Sequence, residues 1–71
     1  MPRSIKKLVG QRIRELRERR GWSQERLAEE ANLHRNYIGQ IERGEKNMGV
    51  ENLVRIAKAL GVSTSSLLSR L

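Results

Sequence analysis

Apolar residues recur every three or four positions along almost the whole chain, and nowhere do they keep the two-residue rhythm of a strand. The pattern predicts five short helices separated by turn signals. In the first, Ile5, Leu8, Val9, Ile13 and Leu16 form one stripe over residues 4 to 20, closed by Gly21. Ser23 is a good N-cap for a second helix, which runs to about Ala31 with Leu27, Ala28 and Ala31 inward and Glu25, Glu29 and Glu30 outward. Asn32 ends it, because asparagine tolerates the left-handed backbone that most side chains avoid. A third helix, residues 34 to 43, stops at Gly44 and gives way to the polar loop Glu45-Lys46-Asn47. Val50, Leu53, Val54, Ile56, Ala57 and Leu60 form the inward stripe of a fourth, with Gly61 as its C-terminal cap. Ser63 caps a fifth, residues 64 to 70, carrying Leu67, Leu68 and Leu71. The expected fold class is all-α, a single compact five-helix domain over residues 1 to 71.

The second and third helices, residues 23 to 43, have the lengths and the short break of a helix-turn-helix. A helical wheel separates the third helix into two faces of different chemistry. Ile38 and Ile41, with His34 and Tyr37 beside them, form the buried side. Arg35, Gly39, Arg43, Asn36 and Gln40 share the other face, within an arc of about 140°. Those side chains are the ones that read base edges: arginine donates two bonds to guanine, and asparagine or glutamine pairs bidentately with adenine. Because the N-terminal part of such a helix reaches deepest, Arg35 and Asn36 are the first candidates for base contacts and Gln40 the third. Gly39 weakens the helix, and its place on this face would permit a close approach to the groove. An ordinary solvated helix face has the same composition.

Charge changes the picture by pointing to a partner. The 71 residues carry a net charge of +7, concentrated in the first 20, where eight Lys and Arg oppose only Glu15 and Glu18. A basic excess of this kind favours a polyanion, since Lys and Arg release the counter-ions of phosphates. No cysteine is present to build a disulfide or a thiolate metal site, and no apolar run exceeds two residues, so neither a signal peptide nor a membrane span is expected. One histidine, no metal-ligand spacing and no glycine-rich phosphate loop argue against an enzyme, a metal, a cofactor or a small-molecule ligand. The chain reads as cytoplasmic, and double-stranded DNA is the partner that fits best. An RNA reader would offer more stacking aromatics than Trp22 and Tyr37.

From residue 10 to 62 the chain resembles the XRE, or lambda-repressor-like, helix-turn-helix family. The marks are Gly21 to Gln24 as a Gly-x-[Ser/Thr]-Gln opening, Leu27-Ala28, the ending Ile41-Glu42-Arg43-Gly44, Ile56-Ala57 and Leu60-Gly61-Val62. Within it, the stretch from Ala31 to Ile38 and the later Lys46-Asn47-Met48 look most like restriction-modification controller proteins. The resemblance implies a transcriptional regulator that binds a pseudo-palindromic operator as a homodimer. It gives base contacts to Arg35, Asn36 and Gln40, and backbone contacts to Gln24, Tyr37, Arg43, Lys46 and Asn47. It also gives Gln24 a place buttressing the recognition helix, and Arg17 a structural pairing with Glu42.

Three positions depart from the family pattern: Asn32 where glycine is common, Met48-Gly49 where Pro-Ser is frequent, and His34 where a better N-cap is usual. His34 is either a packing residue or a pH-sensitive phosphate contact, and Trp22 either a core plug or a stacking platform. Leu67, Leu68 and Leu71 are expected at the dimer interface, the alternative being that Leu67 and Leu68 close the monomer core. Glu25 and Glu29, one turn apart, form an acidic edge that either contacts RNA polymerase or is simply solvated. An antitoxin-type module whose main partner is a protein is the alternative function.

Overall fold

The computed structural model describes residues 4–69 and 71 and contains α1 (Ile5–Arg19), α2 (Gln24–Ala31), α3 (Arg35–Glu42), α4 (Gly49–Leu60) and α5 (Thr64–Leu68). Arg3 and the expected last residue of the fifth helix, at position 70, lie outside the described residues. Among the described residues there is no strand, and no helix is long and apolar enough to cross a membrane.

The turn chemistry is the one the sequence carries. Ser23 accepts a hydrogen bond from the Arg26 amide at 3.0 Å, and Ser63 accepts one from Ser66 at 3.0 Å, so two helices begin on a hydroxyl cap. Asn32 adopts the left-handed conformation at φ 56°, which turns the chain between α2 and α3. His34 stands at the N-cap position the family pattern gives it, with Nδ1 accepting from the Asn36 amide at 3.1 Å, so α3 begins one residue later than expected. It is exposed rather than packed against the isoleucines. An imidazole nitrogen does here what a hydroxyl or carboxylate does at the other caps.

Ile13, Leu27, Ile38, Ile41, Ile56 and Leu67 are fully buried and come from all five helices, so one core holds every element. Trp22 packs on its edge as a plug, half-buried, with the Arg20 guanidinium 4.4 Å and the Arg26 guanidinium 5.1 Å from the ring centre. Two inward assignments fail. Val50 is 77% exposed and Ile5 66% exposed, because the first turns of α1 and α4 stand apart across an open, largely apolar hollow that both residues line with Val9, Met48 and Leu53. Leu67 belongs to the monomer core and is not available to a second copy; Leu68 is half-buried against that core and Leu71 is 44% exposed.

Close approach of α1 to the end of α3 depends on Gly10, which lies within the first apolar stripe. A Cβ there would sit 2.7 Å from the Glu42 carbonyl oxygen, so the helices pack backbone to backbone at this point.

Candidate nucleic-acid interface

The position of α3 is fixed by one buried ion pair. Arg17 of α1 donates through Nε to Glu42 Oε2 at 2.7 Å and through Nη2 to Oε1 at 2.9 Å, and its Nη1 donates to the Trp22 carbonyl at 2.7 Å. Gln24, the first residue of α2, adds a bond from Nε2 to Glu42 Oε1 at 3.1 Å. The Glu42 side chain is 2% exposed, so each of these donors replaces water that the carboxylate has lost. The hydrogen bonds to Glu42 hold the Arg17 guanidinium protonated still more firmly than usual. The pairing implied by the resemblance is therefore present, and Gln24 joins it.

With its inner face held this way, α3 turns the opposite face outward. Arg35 and Asn36 are exposed, and with Gln24, Gly39, Gln40 and Arg43 they line an open polar groove of about 300 Å³. The structure thus brings together the three base-reading candidates and two of the backbone candidates. Gly39 is buried beneath this groove: a Cβ would lie 3.1 Å from Arg43 Nη1 and 3.5 Å from Gln24 Oε1. Its missing side chain makes room for these two protein groups.

The arginines of this face have carboxylate partners that the spacing of residues did not reveal. Arg43 is forked onto Glu45, Nε to Oε2 at 2.9 Å and Nη2 to Oε1 at 3.2 Å. The hydrogen bonds from Arg43 hold the Glu45 carboxyl below its usual range, and those same bonds raise Arg43. Glu45 is placed there by the end of α3, where its amide donates to the Gln40 carbonyl at 2.9 Å and the Gly44 amide to Ile41 at 3.0 Å. The sequence signal was the short Arg43-Gly44-Glu45 run, a helix end folding back on itself. Arg35 Nη1 lies 3.8 Å from Glu25 Oε1 across the turn.

The other candidates lie at the margins. Tyr37 is half-buried; its hydroxyl donates to the Met48 carbonyl at 3.4 Å and accepts from Asn52 Nδ2 at 3.0 Å, which ties α3 to α4 and the loop between them. Asn52 was not foreseen, being one of several polar residues on α4 with Glu51, Arg55 and Lys58. Lys46 and Asn47 are exposed on that loop, where they line a separate hollow with the start of α1 and α4. Glu29 is exposed one turn beyond Glu25, and the dimer candidates Leu68 and Leu71 lie on and beyond α5.

Two short helices across a left-handed turn, with a polar outer face and a locked inner one, define a helix-turn-helix protein. Comparison with known proteins narrows this: a helix-turn-helix family model matches residues 13–67. The chain is 46% identical over 69 residues to the control protein C.BamHI of Bacillus amyloliquefaciens, covering 96% of this chain and 85% of that one. The crystal structure of the restriction-modification controller protein C.AhdI from Aeromonas hydrophila superposes with a TM-score of 0.85 at 42% identity, covering 87% of this chain and 94% of that one. The controller C.Esp1396I, crystallised as a tetramer with its natural 35 base-pair operator, gives a TM-score of 0.86 at 35% identity over 94% of this chain and 90% of that one. The chain belongs to the XRE-type helix-turn-helix family and is most like its restriction-modification control proteins.

Proposed function

We propose that this protein is a sequence-specific DNA-binding transcriptional regulator, acting in the cytoplasm as the control protein of a restriction-modification system. The carrying observation is the groove face of α3, where Arg35 and Asn36, both exposed, and the half-buried Gln40 line one open polar groove. Arg35 and Asn36, on the first turn, contact base edges in the major groove, and Gln40 reaches a third position. Gln24, Arg43, Lys46 and Asn47 hold the phosphate backbone on either side, and Tyr37 does so once its hydroxyl turns from Met48. Arg43 must likewise leave Glu45 to reach a phosphate.

Two copies read a pseudo-palindromic operator, with recognition helices about 34 Å apart. Leu68 and Leu71 serve the dimer contact, and Leu67 supports them from the core. Kinship with a controller that is a tetramer on its operator favours an oligomer on DNA. Of the acidic edge, Glu29 has no ion-pair or hydrogen-bond partner among the described residues, which leaves it as the carboxylate to meet RNA polymerase; Glu25 faces Arg35 instead.

Selection of bound sites from random duplex DNA tests this reading, followed by titration of the best site across salt. A palindrome should emerge. Arg35→Ala should cost about 1 to 3 kcal/mol and relax one position in each half-site. Lys46→Ala should weaken all sequences alike and flatten the salt slope by about one unit. If no sequence is enriched and the two variants behave alike, the protein binds DNA by charge alone and the reading fails.

A further inference from the structure

We propose that Glu25 is a specificity-determining residue, which positions Arg35 for bidentate contact with a guanine and keeps it from seizing phosphates; this rests on the DNA-reading function above. The two arginines of the reading face are held in opposite ways. Arg43 spends its Nε and Nη2 edge on Glu45, so the forked edge that matches a base is closed. Arg35 comes no closer to Glu25 than 3.8 Å, Nη1 to Oε1, with no hydrogen bond between them and with side chains 63% and 68% exposed. Arg35 has no side-chain hydrogen bond and no other ion pair among the described residues, so its donors are uncommitted beside the groove it lines with Asn36 and Gln40.

Both ends of this contact stand on fixed backbone. Glu25 lies in the first turn of α2, which the Ser23 cap anchors, and Arg35 is the first residue of α3, which the His34 cap anchors. The left-handed turn at Asn32 sets the distance between them. A guanidinium touched on one corner by a carboxylate loses part of its freedom but none of its guanine-binding edge. In a cognate complex the Arg35 fork binds guanine O6 and N7 while the guanidinium stays near the Glu25 charge, without any need for a direct bond between them. In a non-cognate complex Arg35 gains only by swinging to a phosphate, which breaks the contact and brings that phosphate toward the Glu25 charge. Glu25 thus penalises the wrong complex and leaves the right one intact.

Glu29 supplies the control, since it lies one turn along the same helix, is exposed and lacks a partner among the described residues. Glu25→Gln and Glu29→Gln make the same change in net charge. Each is titrated against the selected operator and against random duplex, and site selection is repeated for both. Glu29→Gln should raise both affinities together. Glu25→Gln should raise random-duplex affinity, lower the operator-to-random ratio about two- to fivefold, and relax the operator position that Arg35→Ala relaxes, with the thermal midpoint unmoved. If Glu25→Gln keeps the wild-type ratio, as Glu29→Gln does, Glu25 has no part in specificity. A wild type with no sequence preference would instead defeat the underlying DNA-reading function.

Discussion

Two forked arginine–glutamate pairs lie at the end of α3, only one residue apart in sequence, and they do opposite work. Arg17–Glu42 is buried, with side chains 10% and 2% exposed, while Arg43–Glu45 is solvent-exposed at 58% and 54%. The donor atoms are the same in both, Nε and Nη2, and the distances are similar. What separates them is water. Inside, neither charge has a substitute partner, so the pair locks α1 to α3. Outside, water, salt and phosphates all compete, so Arg43 is held only until a better anion arrives.

The largest expected effect follows from breaking the inner pair. Arg17→Ala strands a buried carboxylate and should cost about 3 to 5 kcal/mol, enough to unfold much of so small a domain at physiological temperature. Chemical denaturation measures it. Arg43→Ala should leave the thermal midpoint in place and weaken binding to all duplexes. A stable Arg17→Ala variant, or an unstable Arg43→Ala one, would reverse the assignment.

A smaller effect separates the parts of the inner network. Gln24→Ala removes one of three hydrogen bonds to Glu42 and leaves both bonds from Arg17, so its cost should be roughly 1 kcal/mol. Because Gln24 also lines the groove, DNA affinity should fall by more than the stability loss explains. Equal unfolding and binding phenotypes for Gln24→Ala and Arg17→Ala would mean that the lock needs the amide as much as the guanidinium.

Much of the fold was legible because its signals are local. Ser23, Asn32, Gly61 and Ser63 each act within four residues of where they stand, and the sequence places them correctly. Periodicity tells which side of a helix is apolar but not what covers it. Val50 keeps the rhythm of α4 yet lies open, whereas Leu67, expected at a dimer interface with core closure as the alternative, closes the core. In the candidate site, the polar face of α3 could be read from a wheel. The partners of its arginines could not, because Glu25 meets Arg35 only through the angle between two helices, and Glu45 meets Arg43 only after the chain turns back at Gly44. For His34 the cap position was legible but the burial was not: once its Nδ1 accepts the Asn36 amide, the ring is held at the helix start and stays exposed instead of packing beside the isoleucines.

The smallest effect concerns pH and tests whether the outer pair exists in solution. Hydrogen bonds from Arg43 hold Glu45 below its usual range. The folded-state pKa is thus lower than the unfolded one, and the pair's stabilisation is present above the unfolded value and lost as pH falls through the folded value. Between about pH 7 and pH 5 Glu45 stays ionised and Arg43 stays occupied, so the gain in random-duplex affinity from Glu45→Gln over wild type should be constant across that window. An ordinary carboxylate also stays ionised there, so the deciding measurement is the Glu45 titration itself, followed by NMR: it should lie below the usual carboxylate range and move up in Arg43→Ala. A Glu45 titration that Arg43→Ala leaves in place would mean that the outer pair is open in solution.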